Sequence, residues 1–341
     1  MQYTNFIGID VSKETLDICV MADHSVLVEF KISNDKKSLK TILSRTKKLD
    51  IHPFNTLWCM ENTGIYNNLL LYQLVEKNHH AWVENPTQIK RSQGIQRGKN
   101  DKVDARRIAT YAKKNQAEVR LASIKNTSLL VLKNLCNTRA SLVSSKSGLE
   151  VPIKEAKRFL PKEVARATES ACKATLKAIA ADIKQIEKQM LDVINEDAEL
   201  RELFGFIISV EGVGLHTASA ILIYTNGFKD INCPKKFACY SGVVPFDHQS
   251  GTSLRFKPRV SKMANKDMKR LLHMAVLTTL KLKKSEFNAY YQRKIAEGKN
   301  PMTVLNAMRN KLIHRVFSCV RNRKYYEKRN IVAPIDQTIC H

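Results

Sequence analysis

The first 85 residues alternate between short apolar runs and polar breaks, a pattern that favours strands separated by turns and helices. The first three runs follow one another closely and predict a three-strand meander. The predicted strands are residues 6–9, 15–21, 26–32, 56–60 and 81–84. Helical spacing at 36–49 and 65–77 separates the later strands, which predicts an α/β domain with a mixed sheet.

The middle of the chain is predicted to be helical. Residues 92–100 are polar, basic and rich in Gly, and they predict a loop that leads into a helix at Asp101. Residues 124–200 contain one Gly and two Pro, and an apolar seam there has 3-4-3-4-3 spacing. The seam predicts a helical hairpin or coiled-coil arm, packed in cis or against a second subunit. Its residues are Leu176, Ile179, Ile183, Ile186, Met190 and Val193.

The last third of the chain begins with a short motif around two glycines. Residues 210–222 resemble a helix-hairpin-helix, in which a turn containing Gly212 and Gly214 presents backbone N–H groups to a phosphate. A packing corner without a ligand is the alternative. After it, helical pattern is predicted at 235–242, and residues 243–262 are predicted to form a loop or hairpin. Three further helices are predicted at 263–284, 285–297 and 301–324.

Together these patterns predict an α/β plus α fold in four segments. Residues 1–123 have the element order of an RNase H-like (RuvC-like) mixed-sheet domain. Residues 124–200 form the helical, coiled-coil linker. Residues 201–330 form a mainly helical domain with the helix-hairpin-helix-like segment, and 331–341 form a tail.

Charge changes this picture by indicating a partner. The 341 residues include 57 Lys and Arg against 32 Asp and Glu, a net charge of +25. Residues 251–330 alone hold 21 basic and 4 acidic side chains, a net of +17. Such a concentrated positive surface is typical of proteins that bind nucleic acid. A generally basic soluble protein is the alternative.

Composition also argues against a membrane or secreted protein. No apolar run approaches the roughly 20 residues that span a bilayer, and the N-terminus lacks a signal-peptide pattern. The eight cysteines are scattered, and none forms a C-x-x-C pair. We therefore expect reduced thiols, no membrane partner and a cytoplasmic location.

Four acidic residues carry the candidate chemistry: Asp10, Glu61, Asp101 and Asp104. Asp10 and Glu61 end apolar strands, where a carboxylate needs a cation or a cluster of donors. Asp101 and Asp104 are three apart, so a helix presents both on one face. Carboxylates suit Mg²⁺, and two such ions about 4 Å apart stabilise phosphodiester transfer. The sequence therefore predicts a site for two Mg²⁺ ions.

These carboxylates also have interpretations other than metal binding. Asp101 or Asn100 is alternatively a helix N-cap, and Asp104 in a first helical turn complements the helix dipole. The segment 8–13 is similar to the first phosphate loop of actin-like ATPases and sugar kinases. Those proteins need a second Asp- and Gly-rich phosphate loop, which this sequence lacks.

Six motifs resemble those of one protein family along nearly the whole chain, from about residue 5 to 325. The chain is similar to the DEDD-type insertion-sequence transposases of the IS110 family, which are RNA-guided DNA recombinases. The motifs are GIDVSK at 8–13, ENTGIY at 61–66, KNDKVDARRIA at 99–109, FACYSGVVP at 237–245, HQSGTSLR at 248–255 and RVSKMANK at 259–266.

The resemblance implies a mechanism. It implies that Asp10, Glu61, Asp101 and Asp104 hold Mg²⁺, and that Ser250 attacks a DNA phosphate to form a covalent phosphoserine. It implies a structured noncoding guide RNA as a partner, DNA of element ends and target as substrate, and a composite site formed in a dimer or tetramer. Phe256 and Ala264 stand where many relatives have Gly, which affects loop geometry and not the catalytic residues.

Without the family, Ser250 is a weak candidate, because serines before Gly are common turn residues and Ser241, Thr252 and Ser253 compete. No His–Asp relay is evident, although Asp247 and His248 are adjacent. Its surroundings help: basic residues follow it closely and are suited to clamping a phosphate, and a helix beyond carries more for backbone contacts. These are Arg255, Arg259, Lys262, Lys266, Lys269 and Arg270.

Three functions remain in competition. The first is an Mg²⁺-dependent transposase or recombinase with a Ser nucleophile. The second is a RuvC-like metal-dependent nuclease or junction resolvase, in which water attacks and Ser250 has no chemical role. The third is a nucleic-acid-binding protein without catalysis. Ser250 separates the first two, and the carboxylates separate both of them from the third.

Overall fold

The computed structural model describes residues 2–22, 25–49, 51–92, 101–122, 126–250, 254–282 and 285–327. For residues 101–102, 247–250 and 254–259 it describes the backbone but not the side chains. The chain divides into two compact units, Met1–Ile124 and Lys125–His341.

The first unit is a five-stranded mixed sheet with helices. Its elements are β1 (Asn5–Val11), β2 (Thr15–Ala22), β3 (Ser25–Ser33), α1 (Ser38–Arg45), β4 (Thr56–Glu61), α2 (Asn68–Glu76), β5 (His80–Glu84), α3 (Pro86–Ser92) and α4 (Asp101–Lys114). The strand order is β3-β2-β1-β4-β5. The first three strands are antiparallel, while β4 runs parallel to β1 and β5 parallel to β4. This topology is consistent with an RNase H-like domain.

Alternation along each strand gives the sheet two different faces. One face forms an apolar core with α1 and α2, in which Ile7, Ile9, Trp58 and Met60 are fully buried. The other face is covered by α4. Because β1 and β4 are central and buried on both faces, both read as near-continuous apolar runs in the sequence.

Helix α4 lies directly against β1 because Gly8 has no side chain. A Cβ at Gly8 would lie 2.2 Å from the backbone oxygen of Ala105 and 2.3 Å from the backbone nitrogen of Ala109. Both alanines are buried, so small residues meet on the helix side as well. This close contact fixes the start of α4 beside the end of β1.

The second unit is mainly helical. Its elements are α5 (Thr127–Phe159), α6 (Lys162–Glu196), α7 (Ala198–Ile208), α8 (Leu215–Thr225), α9 (Pro234–Tyr240), β6 (Phe246–Ser250), β7 (Leu254–Arg259), α10 (Lys266–Leu280), α11 (Glu286–Ala296) and α12 (Pro301–Asn322). Strands β6 and β7 form an antiparallel hairpin. One apolar core joins the base of α5 and α6 to the later helices.

Helices α5 and α6 form an antiparallel hairpin of 33 and 35 residues. Ion pairs join them at two levels, Arg139 with Glu187 at 2.8 Å and Lys157 with Glu169 at 2.7 Å. Met190 is fully buried near the base, whereas the other seam residues are buried or half-buried.

The base of the hairpin is closed by two helix caps that bond to each other. Asn126 accepts a hydrogen bond from the backbone of Ser128 at the start of α5, and Asp197 accepts one from Leu200 at the start of α7. The amide of Asn126 also donates to Asp197 Oδ2 at 2.6 Å. The start of α5 and the end of α6 are therefore held together at the base of the hairpin.

The prediction of an α/β plus α chain with a five-strand mixed sheet is confirmed, and most elements begin and end within a few residues of their predicted limits. One helix, α3, was missed, and residues 64–67 form a 3-10 turn before α2 rather than part of it. Helix α10 begins at Lys266, later than predicted, because Asn265 caps it through a bond from Met268 N.

Two further expectations concern cysteines and membrane spans. Cys340 and the rest of the predicted tail at 331–341 lie outside the described residues. The other seven cysteines are described, and all are free thiols. None of the helices in the described ranges combines the length and apolar character that a bilayer crossing demands.

Candidate active site

Asp10 and Glu61 lie side by side at one edge of the sheet. Strands β1 and β4 are parallel neighbours in which Ile9 pairs with Met60, so the next residues along are Asp10 and Glu61. Both side chains are half-buried. The structure thus brings together the two strand-end carboxylates that the sequence analysis singled out.

The same register extends into a row of charged residues across the whole sheet. Asp10 pairs with Asp17 on β2, and Asp17 with Lys31 on β3; on the other side, Glu61 pairs with Glu84 on β5. Residues directly opposite one another in a sheet share a face, and Gly8 places this face toward α4. We name Asp17, Asp10, Glu61 and Glu84 the acidic row.

Each end of the acidic row is held by a neighbouring side chain. Lys31 Nζ lies 2.9 Å from Asp17 Oδ2, and the Asp17 side chain is 7% exposed. Glu84 accepts a hydrogen bond from Tyr111 at 3.3 Å and one from the backbone of Asn85 at 2.6 Å. The outer carboxylates therefore have protein partners, and the centre of the row consists of Asp10 and Glu61.

Helix α4 adds Asp104 to this centre. The Asp104 carboxylate is close enough to Glu61 to influence its pKa, and its Oδ1 accepts a hydrogen bond from Arg107 Nη1 at 2.6 Å. Asp101 begins the same helix, and its side chain is outside the described part of the structure. Three of the four predicted carboxylates thus lie near one another at this edge of the sheet.

Crowding of negative charge is visible at Glu61. Burial raises the pKa of its carboxyl above the ordinary value, and the charges of Asp10 and Asp104 raise it further. Both effects disfavour the ionised form unless a cation enters. A cation bound beside Glu61 would therefore favour its ionised form.

The carboxylates at the acidic edge fit a metal ion in their chemistry more clearly than in their arrangement. Among the described side chains, which exclude Asp101, no three carboxylate, imidazole or thiol groups are arranged to hold an ion. The groups at the centre are nevertheless carboxylates, and burial together with the charges of Asp10 and Asp104 raises the pKa of Glu61, an effect that nearby positive charge would counteract. Oxygen donors of this type suit a hard divalent cation rather than a thiophilic one.

Sequence reasoning missed Asp17 and Glu84. Asp17 lies within the segment Thr-Leu-Asp-Ile, where one polar residue between apolar ones reads as the solvated face of a strand. The structure shows instead that Asp17 is buried, and the strand register pairs it with Asp10. Glu84 is the last residue of β5, just as Glu61 is the last residue of β4. This shared strand-end position is the feature of the sequence that could have identified Glu84.

Ser250 is the last residue of β6 and pairs with Leu254 across the hairpin. The backbone therefore places it where β6 enters the turn to β7. Its side chain and residues 251–253 lie outside the described structure, as do the side chains of Arg255 and Arg259. The competing hydroxyl of Ser241 is fully buried and donates to the Phe237 carbonyl at 2.7 Å, which engages it in packing.

The basic residues after the hairpin surround the start of α10. Lys262, Lys266 and Arg270 are exposed, and Lys269 is half-buried. Ala264 fits tightly, because a Cβ at Gly242 would lie 2.7 Å from its methyl group, and Gly242 has φ +63°. Ala264 is thus accommodated by a glycine.

The two glycines of the helix-hairpin-helix-like segment differ. Gly212 has φ +87°, and a Cβ there would lie 2.5 Å from both the Ala275 backbone oxygen and Thr279 Cγ2, so it packs against α10. Gly214 precedes α8 and has no neighbouring atom within 4 Å of a Cβ position. Packing therefore explains Gly212, whereas the N-terminus of α8 is open at Gly214.

A mixed sheet with an acidic edge, followed by a strongly basic helical unit, is typical of enzymes that act on nucleic-acid phosphodiesters. Comparison with known proteins gives the family. A DEDD-type transposase model of IS110 matches residues 7–156, and a model of the IS116/IS110/IS902 transposase family matches residues 206–292. These two matches together span well over half of the chain, which belongs to the IS110 transposase family and is a DNA transposase/recombinase.

Individual relatives agree with this family. Pilin gene-inverting proteins of Moraxella bovis and Moraxella lacunata are 24% and 23% identical to the chain over 332 residues, covering 95% of it and 98% of each relative. An uncharacterized 43.6 kDa protein of the insertion element IS110 from Streptomyces coelicolor is 25% identical over 156 residues, 46% of this chain and 37% of that protein. The DEDD family implies dependence on a divalent metal.

Proposed function

We propose that the chain catalyses Mg²⁺-dependent cleavage and exchange of DNA strands for an insertion sequence, with Ser250 as nucleophile and a structured noncoding RNA as guide. The observation that carries the proposal is the proximity of Asp10, Glu61 and Asp104 at one edge of the sheet, where burial and the charges of Asp10 and Asp104 raise the pKa of Glu61. A site that concentrates negative charge in a protein of net charge +25 is suited to cations and phosphate together.

Asp10, Glu61, Asp101 and Asp104 would hold two Mg²⁺ ions. Bound there, the ions would neutralise charge on the scissile phosphate and favour the ionised attacking and leaving oxygens. The chain's own part is positional: β1 and β4 fix two carboxylates rigidly, and the Gly8 contact fixes the helix that carries the other two.

Ser250 would attack the scissile phosphorus through Oγ. The bond from Oγ to phosphorus forms as the bond from phosphorus to the leaving DNA oxygen breaks, and the Ser proton passes to solvent or a nearby base. A hydroxyl of another strand then attacks the phosphoserine, forms a new phosphodiester and restores Ser250. The two bonds exchanged are of the same type, so no external energy source is required.

Nucleic acid would lie on the basic second unit. Lys262, Lys266, Lys269 and Arg270, with Arg255 and Arg259 from β7, would bind DNA and RNA phosphates, which fix position rather than sequence. The open N-terminus of α8 at Gly214 would add backbone N–H groups for a phosphate, in the manner of a helix-hairpin-helix.

We further infer that the α5–α6 hairpin acts as a coiled-coil arm that joins copies of the chain into a dimer or tetramer. Apolar side chains are exposed toward its tip, namely Val151, Phe159, Leu160 and Val164. A second copy would cover them. Replacement of Phe159 and Leu160 by Ser should reduce the mass measured by light scattering, without loss of helicity.

The experiment on Ser250 decides the mechanism. Ser250→Ala should abolish strand exchange and the covalent protein–DNA adduct that a nicked suicide substrate traps. Asp10→Asn should lose both as well, while leaving salt-sensitive binding intact. Strand cleavage that persists in Ser250→Ala would instead favour the water-activated nuclease, and a chain without strand transfer under any Mg²⁺ condition would favour the binding protein.

Inversion of a DNA segment is a second candidate outcome of the same chemistry. It is favoured by the pilin gene-inverting relatives, which match the chain over almost their whole length. Inverted and direct pairs of element ends on a plasmid separate the two outcomes: inversion leaves plasmid size unchanged, whereas transposition releases or moves the segment.

A further inference from the structure

One contact at the acidic edge has a feature that metal binding does not explain. Arg107 Nη1 lies 2.6 Å from Asp104 Oδ1, and the two side chains are only 17% and 27% exposed. A guanidinium at this distance supplies Asp104 with the positive charge that a divalent ion would otherwise provide. A cation and a guanidinium on the same carboxylate repel each other, so the two compete.

Arg107 also lines a surface groove that lies between α3 and α4. The groove has a volume of about 290 Å³ and is bordered by Ser92, Val103, Arg106, Arg107, Thr110, Tyr111 and Lys114. No acidic residue is among the described residues that border it. Apart from Val103, its lining consists of cations and hydroxyls, which suit an anion such as a backbone phosphate of nucleic acid.

The neighbouring Arg106 provides an internal contrast. It forms two hydrogen bonds with Glu29, each of 2.9 Å, on the β3 side of the helix. Its charge is thus matched by a carboxylate outside the metal-binding set. Arg107 is the arginine of this pair whose partner is a proposed metal ligand.

We propose that Arg107 is a latch: it holds Asp104 when no nucleic acid is bound, and it turns to a backbone phosphate in the α3–α4 groove when nucleic acid arrives. The phosphate thereby frees Asp104 for the divalent ion, and nucleic acid and metal bind cooperatively. This inference rests on the proposed function, since it assumes that Asp104 is a metal ligand.

The latch has a thermodynamic consequence that runs both ways. If phosphate binding tightens metal binding by some factor, metal binding must tighten phosphate binding by the same factor. Without nucleic acid, the metal site stays weak and the acidic edge remains partly neutralised. With nucleic acid present, the metal site assembles beside the strand to be cut.

The first experiment measures Mn²⁺ binding to the full chain alone, by electron paramagnetic resonance of the free ion. Arg107→Gln should bind Mn²⁺ about tenfold more tightly than the wild type, because a competing positive charge a few ångströms away is removed. Arg106→Gln removes the same charge from the same helix and should leave the affinity within about twofold. Equal or weaker Mn²⁺ binding in Arg107→Gln would overturn the latch, since it would indicate that Arg107 supports Asp104.

The second experiment adds nucleic acid, with the Mn²⁺ bound by nucleic acid alone subtracted. A short DNA duplex or a structured RNA should tighten Mn²⁺ binding to the wild type by at least about fivefold, and this gain should disappear in Arg107→Gln. The duplex and RNA arms show which backbone reaches the groove, and inorganic phosphate shows whether the anion alone suffices. An undiminished gain in Arg107→Gln would refute the latch.

Asp104→Asn distinguishes a failure of the latch from a failure of the proposed metal site. Loss of Mn²⁺ binding in this variant supports Asp104 as a ligand, so a failed Arg107 result would then count against the latch alone. Unchanged Mn²⁺ binding in Asp104→Asn would place the error in the proposed metal site itself.

Discussion

Two residues of β1 build the acidic edge in different ways. Asp10 supplies charge, while Gly8 supplies space, because its missing side chain lets Ala105 and Ala109 of α4 approach the strand. The position of Asp104 relative to Asp10 therefore depends on a residue that carries no functional group. Substitutions at Gly8 should affect the site and the fold together.

Gly8→Ala is expected to destabilise the chain by about 3 kcal/mol, since the new methyl group meets helix backbone that cannot rotate away. Urea unfolding measures the change, followed by the fluorescence of Trp58 and Trp82 for the first unit and by circular dichroism for the helical second unit. Gly148→Ala is the matched control: it has open space in α5 and should stabilise by about 1 kcal/mol through helix propensity. Equal stability of Gly8→Ala and wild type would mean that α4 does not press on β1.

Glu61→Gln is expected to raise the melting temperature in the presence of EDTA. The folded chain raises the pKa of Glu61, so its ionised form disfavours folding at neutral pH, and the neutral amide removes that cost. Mg²⁺ should raise the melting temperature of the wild type but not of Glu61→Gln. Glu76→Gln, on the exposed side of α2, should change neither the melting temperature in EDTA nor its rise with Mg²⁺. A lower melting temperature for Glu61→Gln in EDTA would contradict the crowding of charge.

At the scale of elements, the sequence predicted strands and helices better than it predicted how they face one another. Asp10 and Glu61 were found because each follows an apolar run, a local signal. Asp17 and Glu84 were missed because their places beside Asp10 and Glu61 follow from strand register, which no local pattern encodes. The placement of Arg107 over Asp104 likewise depends on where α4 crosses the sheet.

Helix α3 was missed for a local reason. No helix is predicted from the sequence between the strand at 81–84 and the loop at 92–100, although Pro86 is of a type favoured in the first turn of a helix. The structure uses Asn85 as a cap, since its Oδ1 accepts a hydrogen bond from Thr87 N at 2.9 Å. The same two residues support either interpretation, and packing of Ile89 into the core decides between them.

The junction of the hairpin with α8 should be sensitive to acid. Burial acts to raise the pKa of Glu187, but the hydrogen bond and charge of Arg139, with help from His216, hold it below its ordinary value. A lowered pKa stabilises the fold above the ordinary Glu pKa, and this contribution is lost as pH falls through that value toward the lowered one. The pair Arg139–Glu187 is partly exposed, so its contribution is modest.

Glu187→Gln should therefore be less stable than the wild type by about 0.5–1 kcal/mol at pH 7. The difference should shrink as pH falls below about 4, where the wild-type carboxylate is also neutralised. Urea unfolding at both pH values measures it. Glu155→Gln, at an exposed position of the same hairpin, should show no such pH dependence. A constant difference at both pH values would exclude an electrostatic origin.

At the scale of the whole molecule, charge is distributed unevenly between the units. The acidic row lies in the first unit, while residues 251–330 of the second carry a net of +17. Binding to nucleic acid should therefore depend on counterion release from contacts in the second unit.

Duplex binding is expected to weaken by about a thousandfold between 50 and 200 mM salt, if about six phosphates are contacted. Fluorescence anisotropy across this range gives the slope of log affinity against log salt. Lys266→Gln should reduce the slope by about one. Lys40→Gln, at an exposed position of α1, removes an equal charge from the first unit and should leave the slope unchanged. Equal effects of both variants would mean that only net charge matters.

The bond between Asn126 and Asp197 also bears on how this protein can change in length. The hydrogen bond between Asn126 and Asp197 joins the start of α5 to the end of α6. The part of the hairpin beyond the Arg139–Glu187 ion pair therefore projects from a fixed base. Whole turns inserted into or deleted from both helices would lengthen or shorten it without moving its attachment points. Insertions and deletions should therefore be tolerated in the outer hairpin, whereas the contact of α4 with Gly8 of β1 leaves no comparable freedom at that point.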